Sequence, residues 1–415
     1  MLSPELVRPH FPALKRMHNG KPLVYFDGPG GTQVSQACID GFVHYFTTCN
    51  ANNHGAFVTS HESDMVIEDG HLVMADFLNA RSPEEIIWGQ NMTSVVFAIS
   101  RSLGKLLNPG DEVILSALDH DANFSPWRIM AEERGAKVHV VEVDTKDCTL
   151  VVDDFEKFLG PRTRLVAVGG VSNAVGTINP IKQIIGMAKA AGALTFIDAV
   201  ALSPHMAMDV QDWDCDMLGC SSYKFWGPHN GIIYAKKALL EQLPPYKVRP
   251  SDNALPGRFE TGTQSIESMA GVIGTMGYLA SLSKHVGGTP AAGVYRSERA
   301  SQLHHVMDAI QTYEQGFSAH LLEGLAAKKN VKVYGITDAN RLAQRVPTIA
   351  LRVDGEAPRA TAERLGNLGI CVWDGNYYAI NLTERLGVED KGGMVRIGLV
   401  HYNTHEEIDR FLAAL

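Results

Sequence analysis

A lysine beside a turn, an aspartate ending an apolar run and a cluster of hydroxyls between them carry the chemical potential of this sequence. Lys224 lies in SSYKFWGPHNG, after an apolar run and before Gly227 and Pro228, so its ammonium belongs at a strand end next to a tight turn. Most lysines are solvated surface charges, and Lys224 taken alone fits that description too. Ser221, Ser222 and Tyr223 place three hydroxyls beside it. They suit an anion such as a phosphate and are also common in ordinary loops. Asp198 closes the apolar run FIDAV, and a carboxylate at a strand's C-terminal end opens onto the crevice where α/β sheets bind ligands. The same residue reads equally well as a turn or helix-capping aspartate.

Upstream, WGQNMTSVVFAI passes from a strand through a polar turn into a helix that starts near Thr93. Free N–H groups at a helix N-terminus form an anion site, to which Asn91 and Thr93 add side-chain donors. Either residue reads equally well as a plain helix cap, satisfying only its own backbone. The next strand ends in ALDHDANFSPW, where His120 is placed to lie flat on a planar ring or to serve structure alone. A pyridoxal 5'-phosphate (PLP) site needs a lysine, an acid facing the pyridine nitrogen, donors around the phosphate and a group stacked on the ring. All four are present, and Asp198 opposite the pyridine nitrogen keeps that ring protonated and electron-withdrawing.

The elements that must position these residues follow an alternating pattern. The runs EIIWG, DEVILSA, KVHVVEV, RLVAVGGV, ALTFIDAV, MLGCSS and GIIYAKK read as strands, separated by helical stretches such as 94–107, 126–134 and 181–191, the last stopped by Gly192. This pattern predicts an α/β fold, a large domain with a mostly parallel seven-stranded sheet. PPYKVRPSDNALPGRFETGT has neither period and reads as a long functional loop. A helical segment over 265–327 follows, then short strands around VKVYGI, TIALRV and MVRIGLV, the mark of a smaller α+β C-terminal domain. The expected division is an N-terminal arm (1–20) belonging to the small domain, a large domain (21–280) and a small domain (281–415).

Composition narrows the function. The chain has 415 residues, 45% hydrophobic and 20% charged, with a formal net charge of -9, and its basic residues are scattered. No basic stripe is available for nucleic acid or anionic lipid. No apolar run approaches the roughly 20 residues that span a bilayer. A cytoplasmic protein is expected, with no membrane and no nucleic-acid partner. The six cysteines are too few and too irregular to staple a chain of this length, so most are expected as buried thiols, and no metal is expected.

DHDANFSPW, SNAVGTINP, IDAV, SSYKFWGPHNG, RFETGT and RIGLVHYNTHEEID occur in the order found in the class V aminotransferase, or cysteine desulfurase, family. The resemblance runs from YFDGPGGT to the C-terminus and implies the PLP-dependent transferase fold (type I). It further implies Lys224 as the Schiff-base lysine, Asp198 on the pyridine nitrogen, His120 stacked on the ring, and Asn173 reaching the phenolic oxygen or the substrate. Met92, Thr93, Ser221 and Tyr223 hold the phosphate by this resemblance, and Thr263 is offered by the other subunit, so a homodimer is implied. Arg396 matches the arginine that binds the α-carboxylate of an amino-acid substrate, a task suited to its planar fork.

Two departures bear on the reaction. The family's loop reads roughly G-H-H-C-A, and its cysteine takes the substrate's sulfur as a persulfide; here the loop reads GNYYA, with Tyr378 at the cysteine's place. A phenol of pKa about 10 is a poor nucleophile and forms no persulfide. Cys371, in the apolar run GICV, reads as a small buried hydrophobe. Ala201 stands where desulfurases carry a glutamine near the phenolic oxygen. The chain looks most like the desulfurase-like subgroup lacking the loop cysteine. Trp373, Tyr377 and Tyr378, with His54 of NNHGAF, line a substrate pocket in one reading and pack a domain interface in another.

The expected reaction is of the lyase type at Cβ, C–S cleavage by elimination without a persulfide cysteine. β-Decarboxylation or aldol-type C–C chemistry, transamination, epimerisation and a catalytically inactive relative of the fold are the alternatives. A nicotinamide-dependent oxidoreductase is disfavoured, because no GxGxxG follows the first strand and opens a helix.

Overall fold

The computed structural model describes residues 2–289 and 293–415. The large sheet is built from β1 (Ile86–Gly89), β2 (Glu112–Ser116), β3 (Lys137–Val141), β4 (Thr163–Gly169), β5 (Leu194–Asp198), β6 (Met217–Ser221) and β7 (Gly231–Ala235). Their spatial order is β1-β7-β6-β5-β4-β2-β3, and every pair is parallel except those made by β7. All seven strands lie on the runs expected from the sequence. Both faces are covered, which is why these strands are continuous apolar runs. Alternate residues serve opposite faces: Leu165, Ala167, Phe196 and Met217 pack in one core cluster, and Val166, Val168, Ile197 and Leu218 in another.

Helix α1 (Gln36–Thr48) packs on the helix Ile266–Ser283, and α2 (Val58–Phe77), α3 (Met92–Gly104), α4 (Ser125–Glu133) and α5 (Ile181–Ala190) flank this sheet. Gly192, at φ +75, stops α5: its N–H bonds to Lys189 O and that of Ala193 to Ala188 O, both at 2.9 Å. This is the Schellman arrangement that a left-handed glycine permits. The helical segment expected over 265–327 is divided into α6 (Ile266–Ser283) and α7 (Glu298–Ala326), the second opened by Ser297 accepting the Ala300 N–H. The period alone does not show the division; the adjacent Gly287 and Gly288, the latter at φ +91, mark it.

A smaller α+β domain contains β8 (Val331–Tyr334), β9 (Thr348–Val353), β10 (Trp373–Gly375) and β11 (Met394–Gly398), antiparallel in the order β8-β9-β11-β10, with α8 (Pro358–Asn367) and α9 (His405–Ala414). Its core takes in Val24 and Phe26 from the N-terminal segment. Among the described residues no helix is long and apolar enough to cross a membrane.

Candidate active site

A cavity of about 610 Å³ opens at the C-terminal ends of β2, β4, β5 and β6, where a parallel sheet binds ligands, and the small domain closes it with β10 and β11. Lys224 sits in the turn after β6. It is 8% exposed, and its Nζ donates to the carbonyl oxygen of Pro29. Burial, assisted by the Arg396 charge, lowers its pKa to about 7. The turn is braced from far upstream: Thr32 N–H bonds to Tyr223 O at 3.0 Å, and Trp226 N–H to Thr32 Oγ1 at 2.8 Å. A Cβ on Gly30 would lie 2.5 Å from Trp373 Nε1, so the PGGT segment that carries Pro29 and Thr32 needs glycine there. The sequence offered only the paired glycines as a signal for it.

Asp198 ends β5 and is buried in the cavity wall. Its Oδ1 accepts the Val200 N–H at 2.9 Å, so the turn-aspartate reading and the cavity reading both hold. Burial raises its pKa to about 6. Beside it lies Asp119, which sequence reasoning missed although it directly precedes His120. Asp119 accepts the Gly169 N–H at 2.8 Å and Asn123 Nδ2 at 3.1 Å, and burial, with the like charge of Asp198, raises its pKa to about 8. His120 accepts the Ala122 N–H on Nδ1 at 3.0 Å. Burial and the charges of Lys224 and Arg396 lower its pKa to about 4, so the ring is neutral with its proton on Nε2.

Met92 and Thr93 open α3 at the cavity edge, one residue before the expected start. Asn91 is the cap, accepting the Ser94 N–H at 2.9 Å, while Met92 and Thr93 supply first-turn N–H groups that have no intrahelical acceptor. Ser221 and Tyr223 line the same end. Across the cavity Arg396 of β11 is buried; its Nη1 donates to Asn173 O at 2.9 Å, and burial lowers its pKa to about 10. Asn173 Nδ2 donates to Tyr377 O at 2.8 Å.

Arg396 Nε and Asn173 Oδ1 are buried without a partner. Buried polar atoms of this kind are costly and point to a ligand that satisfies them. Together with a buried acid, a buried lysine and a helix N-terminus, they fit PLP and an amino acid.

The class-V aminotransferase family model matches residues 24–411. The chain belongs to that family, whose members are PLP-dependent enzymes. A cysteine desulfurase of Pectobacterium atrosepticum is 31% identical over 428 residues, covering 99% of this chain and 97% of that protein. The apo cysteine desulfurase of Thermococcus onnurineus superposes with a TM-score of 0.86 at 25% identity, covering 100% and 98% of the two chains. A C-DES lysine-to-alanine variant with glycine covalently linked to its PLP cofactor has a TM-score of 0.78 at 17% identity over 98% of each chain, a likeness of fold.

This class-V enzyme is cysteine desulfurase-like, and one of the two departures noted in its sequence falls on the GNYYA loop. Trp373, Tyr377 and Tyr378 all line the cavity. Tyr377 and Tyr378 hold φ values of +55 and +61, uncommon for large side chains and sustained only by surrounding contacts. Those contacts are visible: Asp121 N–H to Tyr378 O at 2.8 Å, Tyr378 N–H to Asn376 Oδ1 at 3.0 Å, and Asn376 Nδ2 to Glu389 Oε1 at 2.9 Å. The Tyr378 ring stacks on His120, centroids 5.2 Å apart and planes 20° apart. Cys371 lies in a short strand beside Tyr25, outside the cavity lining, and burial raises its pKa to about 11. Ala201, the other departure, also lines the cavity. Two of the expected residues are not brought to this chain's cavity. Thr263 is exposed, and His54 is exposed with its ring 3.1 Å from Asp64.

Proposed function

We propose that the enzyme cleaves the C–S bond of a cysteine-like amino acid by elimination at Cβ, releasing the sulfur without passing it to a protein cysteine. The observation that supports this reading is the loop: Tyr378, at the position the resemblance gives to the cysteine, lines the cavity, and Cys371 lies outside its lining with burial raising its pKa to about 11. When bound, PLP supplies the electron sink that makes the α-proton acidic and lets a β-substituent leave with its bonding pair.

The chain's own residues do the rest. Arg396 grips the α-carboxylate with its remaining N–H groups, and Asn173 Oδ1 accepts from the bound pair, so both orphaned atoms are satisfied. Lys224 would hold PLP, and its amine would remove the α-proton. A pKa near 7 leaves much of it unprotonated at neutral pH. Asp198 would face the ring nitrogen and keep a proton on it. His120 would stack on the ring, and Met92, Thr93, Ser221 and Tyr223 would hold the phosphate. Trp373 and Tyr378 close the cavity over the substrate side chain.

Thr263 and His54 belong in this reading to a homodimer, in which each subunit completes its partner's site. Their exposure in one chain supports it, as do the exposed apolar residues Phe46, Phe57, Val58 and Met65 on and beside α1 and α2.

Product analysis tests the proposal. Elimination from cysteine yields sulfide, pyruvate and ammonia in equal amounts; desulfuration yields alanine and sulfur bound to protein. Alanine with a persulfide on the enzyme would refute the elimination reading.

A further inference from the structure

Glu260 lies outside the cavity, in the RFETGT run that leads to Thr263. Its side chain is 7% exposed, as is that of His71 on α2. One oxygen, Oε1, accepts the Trp88 N–H at 2.7 Å and faces His71 Nε2 at 2.9 Å. Trp88 is on β1, the end strand of the sheet, where an N–H turned away from β7 has no neighbouring strand to bond. Glu260 takes that place.

The second nitrogen of His71 is also engaged. Nδ1 lies 2.7 Å from the carbonyl oxygen of Ile67, one turn back on α2. A carbonyl only accepts, so Nδ1 donates; Oε1 of Glu260, already accepting from Trp88, accepts from Nε2 as well. With Glu260 ionised, His71 donates from both nitrogens and the two side chains form a buried ion pair. Burial opposes its charge, but the hydrogen bond and negative charge of Glu260 outweigh burial and raise its pKa.

This pair joins two segments to which the proposed reading gives phosphate binding. β1 runs on from Trp88 through the turn to Met92 and Thr93, the anion-binding end of this subunit's own cavity. Three residues after Glu260 comes Thr263, with Gly262 at φ +75 turning the chain so that residues 261–263 are exposed. We infer that His71 and Glu260 are positioning residues for the cofactor phosphate, fastening the Thr263 loop to the strand that leads into the Met92–Thr93 turn. One buried contact then sets the phosphate donors of two neighbouring sites. The inference rests on the reading of PLP as cofactor and of Thr263 as a contact offered to a second copy.

The test compares PLP with pyridoxal, which lacks the phosphate, in absorbance titrations of the full-length chain. For His71→Leu and Glu260→Gln the expected result is PLP affinity lowered by about tenfold to a hundredfold, the cost of a lost charge-assisted hydrogen bond, with pyridoxal affinity held within about twofold. His71→Gln keeps a donor toward Glu260 and recovers part of the loss. Should His71→Leu not fold, Glu260→Gln and His71→Gln carry the same comparison. Equal weakening of PLP and pyridoxal would make the pair merely structural and overturn the inference, as would unchanged PLP affinity. A wild-type chain that binds pyridoxal as tightly as PLP would also overturn it. A wild-type chain that binds neither would overturn the cofactor reading and the inference with it.

Discussion

Replacing Asp198 with asparagine should stabilise the cofactor-free protein while weakening its hold on PLP. Asp198 is buried at the end of β5, and the fold gives it only the Val200 N–H as a hydrogen-bond donor. Burial moves its pKa from 3.8 to about 6. At about 1.4 kcal/mol per pH unit, ionising this side chain in the folded cofactor-free protein costs about 3 kcal/mol. The sign follows from proton counting. Between these two pKa values the folded state binds more protons than the unfolded state, so stability falls as pH rises from about 4 to about 6 and is flat beyond. The asparagine would keep an oxygen for the Val200 N–H and remove the charge. The Asp198→Asn variant should match the wild type at pH 4 and exceed it by up to about 3 kcal/mol at pH 8, less whatever its unpaired amide costs. Urea unfolding of the two cofactor-free proteins at both pH values measures this directly. With PLP present the order reverses, because the ring's positive nitrogen would add a counter-charge to the one that Lys224 supplies, which burial outweighs. A variant no more stable than wild type at pH 8, or one that binds PLP as tightly, would refute the reasoning.

Arg396→Lys should raise the dissociation constant of an α-amino acid by about tenfold to a hundredfold, since a point charge replaces a fork whose Nε is already buried and waiting. The corresponding amine, lacking the carboxylate, should bind both proteins alike in a spectral titration. Tyr378→Cys should let cysteine leave a persulfide on residue 378, detected by mass spectrometry after alkylation; no trace of it would mean that the loop cannot deliver a thiol to Cβ. Cys371 should alkylate slowly at pH 7, where a pKa of about 11 leaves a thiolate fraction on the order of one in ten thousand, and its modification should leave turnover unchanged. PLP should attach faster as pH rises through about 7, where Lys224 of the cofactor-free protein loses its proton, and a rate of attachment flat from pH 6 to 8 would contradict Lys224 as the attachment site.

The large sheet was legible because strands buried on both faces are written as unbroken apolar runs, and Asp198 and Lys224 close two of them. The strand at Trp373–Gly375 is too short to show a period. Contacts between distant parts of the chain were the least legible. Lys224 reaches Pro29 across 195 positions, and His71 meets Glu260 across 189, and no local pattern marks either pair. Asp119 was missed for another reason: its character comes from burial beside a second carboxylate, which only the folded chain creates. For Asn91 the local alternative was sound, since it is a helix cap; for Tyr378 the pocket reading and the packing on His120 describe the same position.

Whether Lys224 carries the cofactor is decided by borohydride reduction of the PLP-loaded protein followed by peptide mapping. The expected result is loss of visible absorbance and a single pyridoxyl label on the peptide containing Lys224, absent in Lys224→Ala. A label on another lysine, or a protein that stays colourless with PLP, would contradict the assignment.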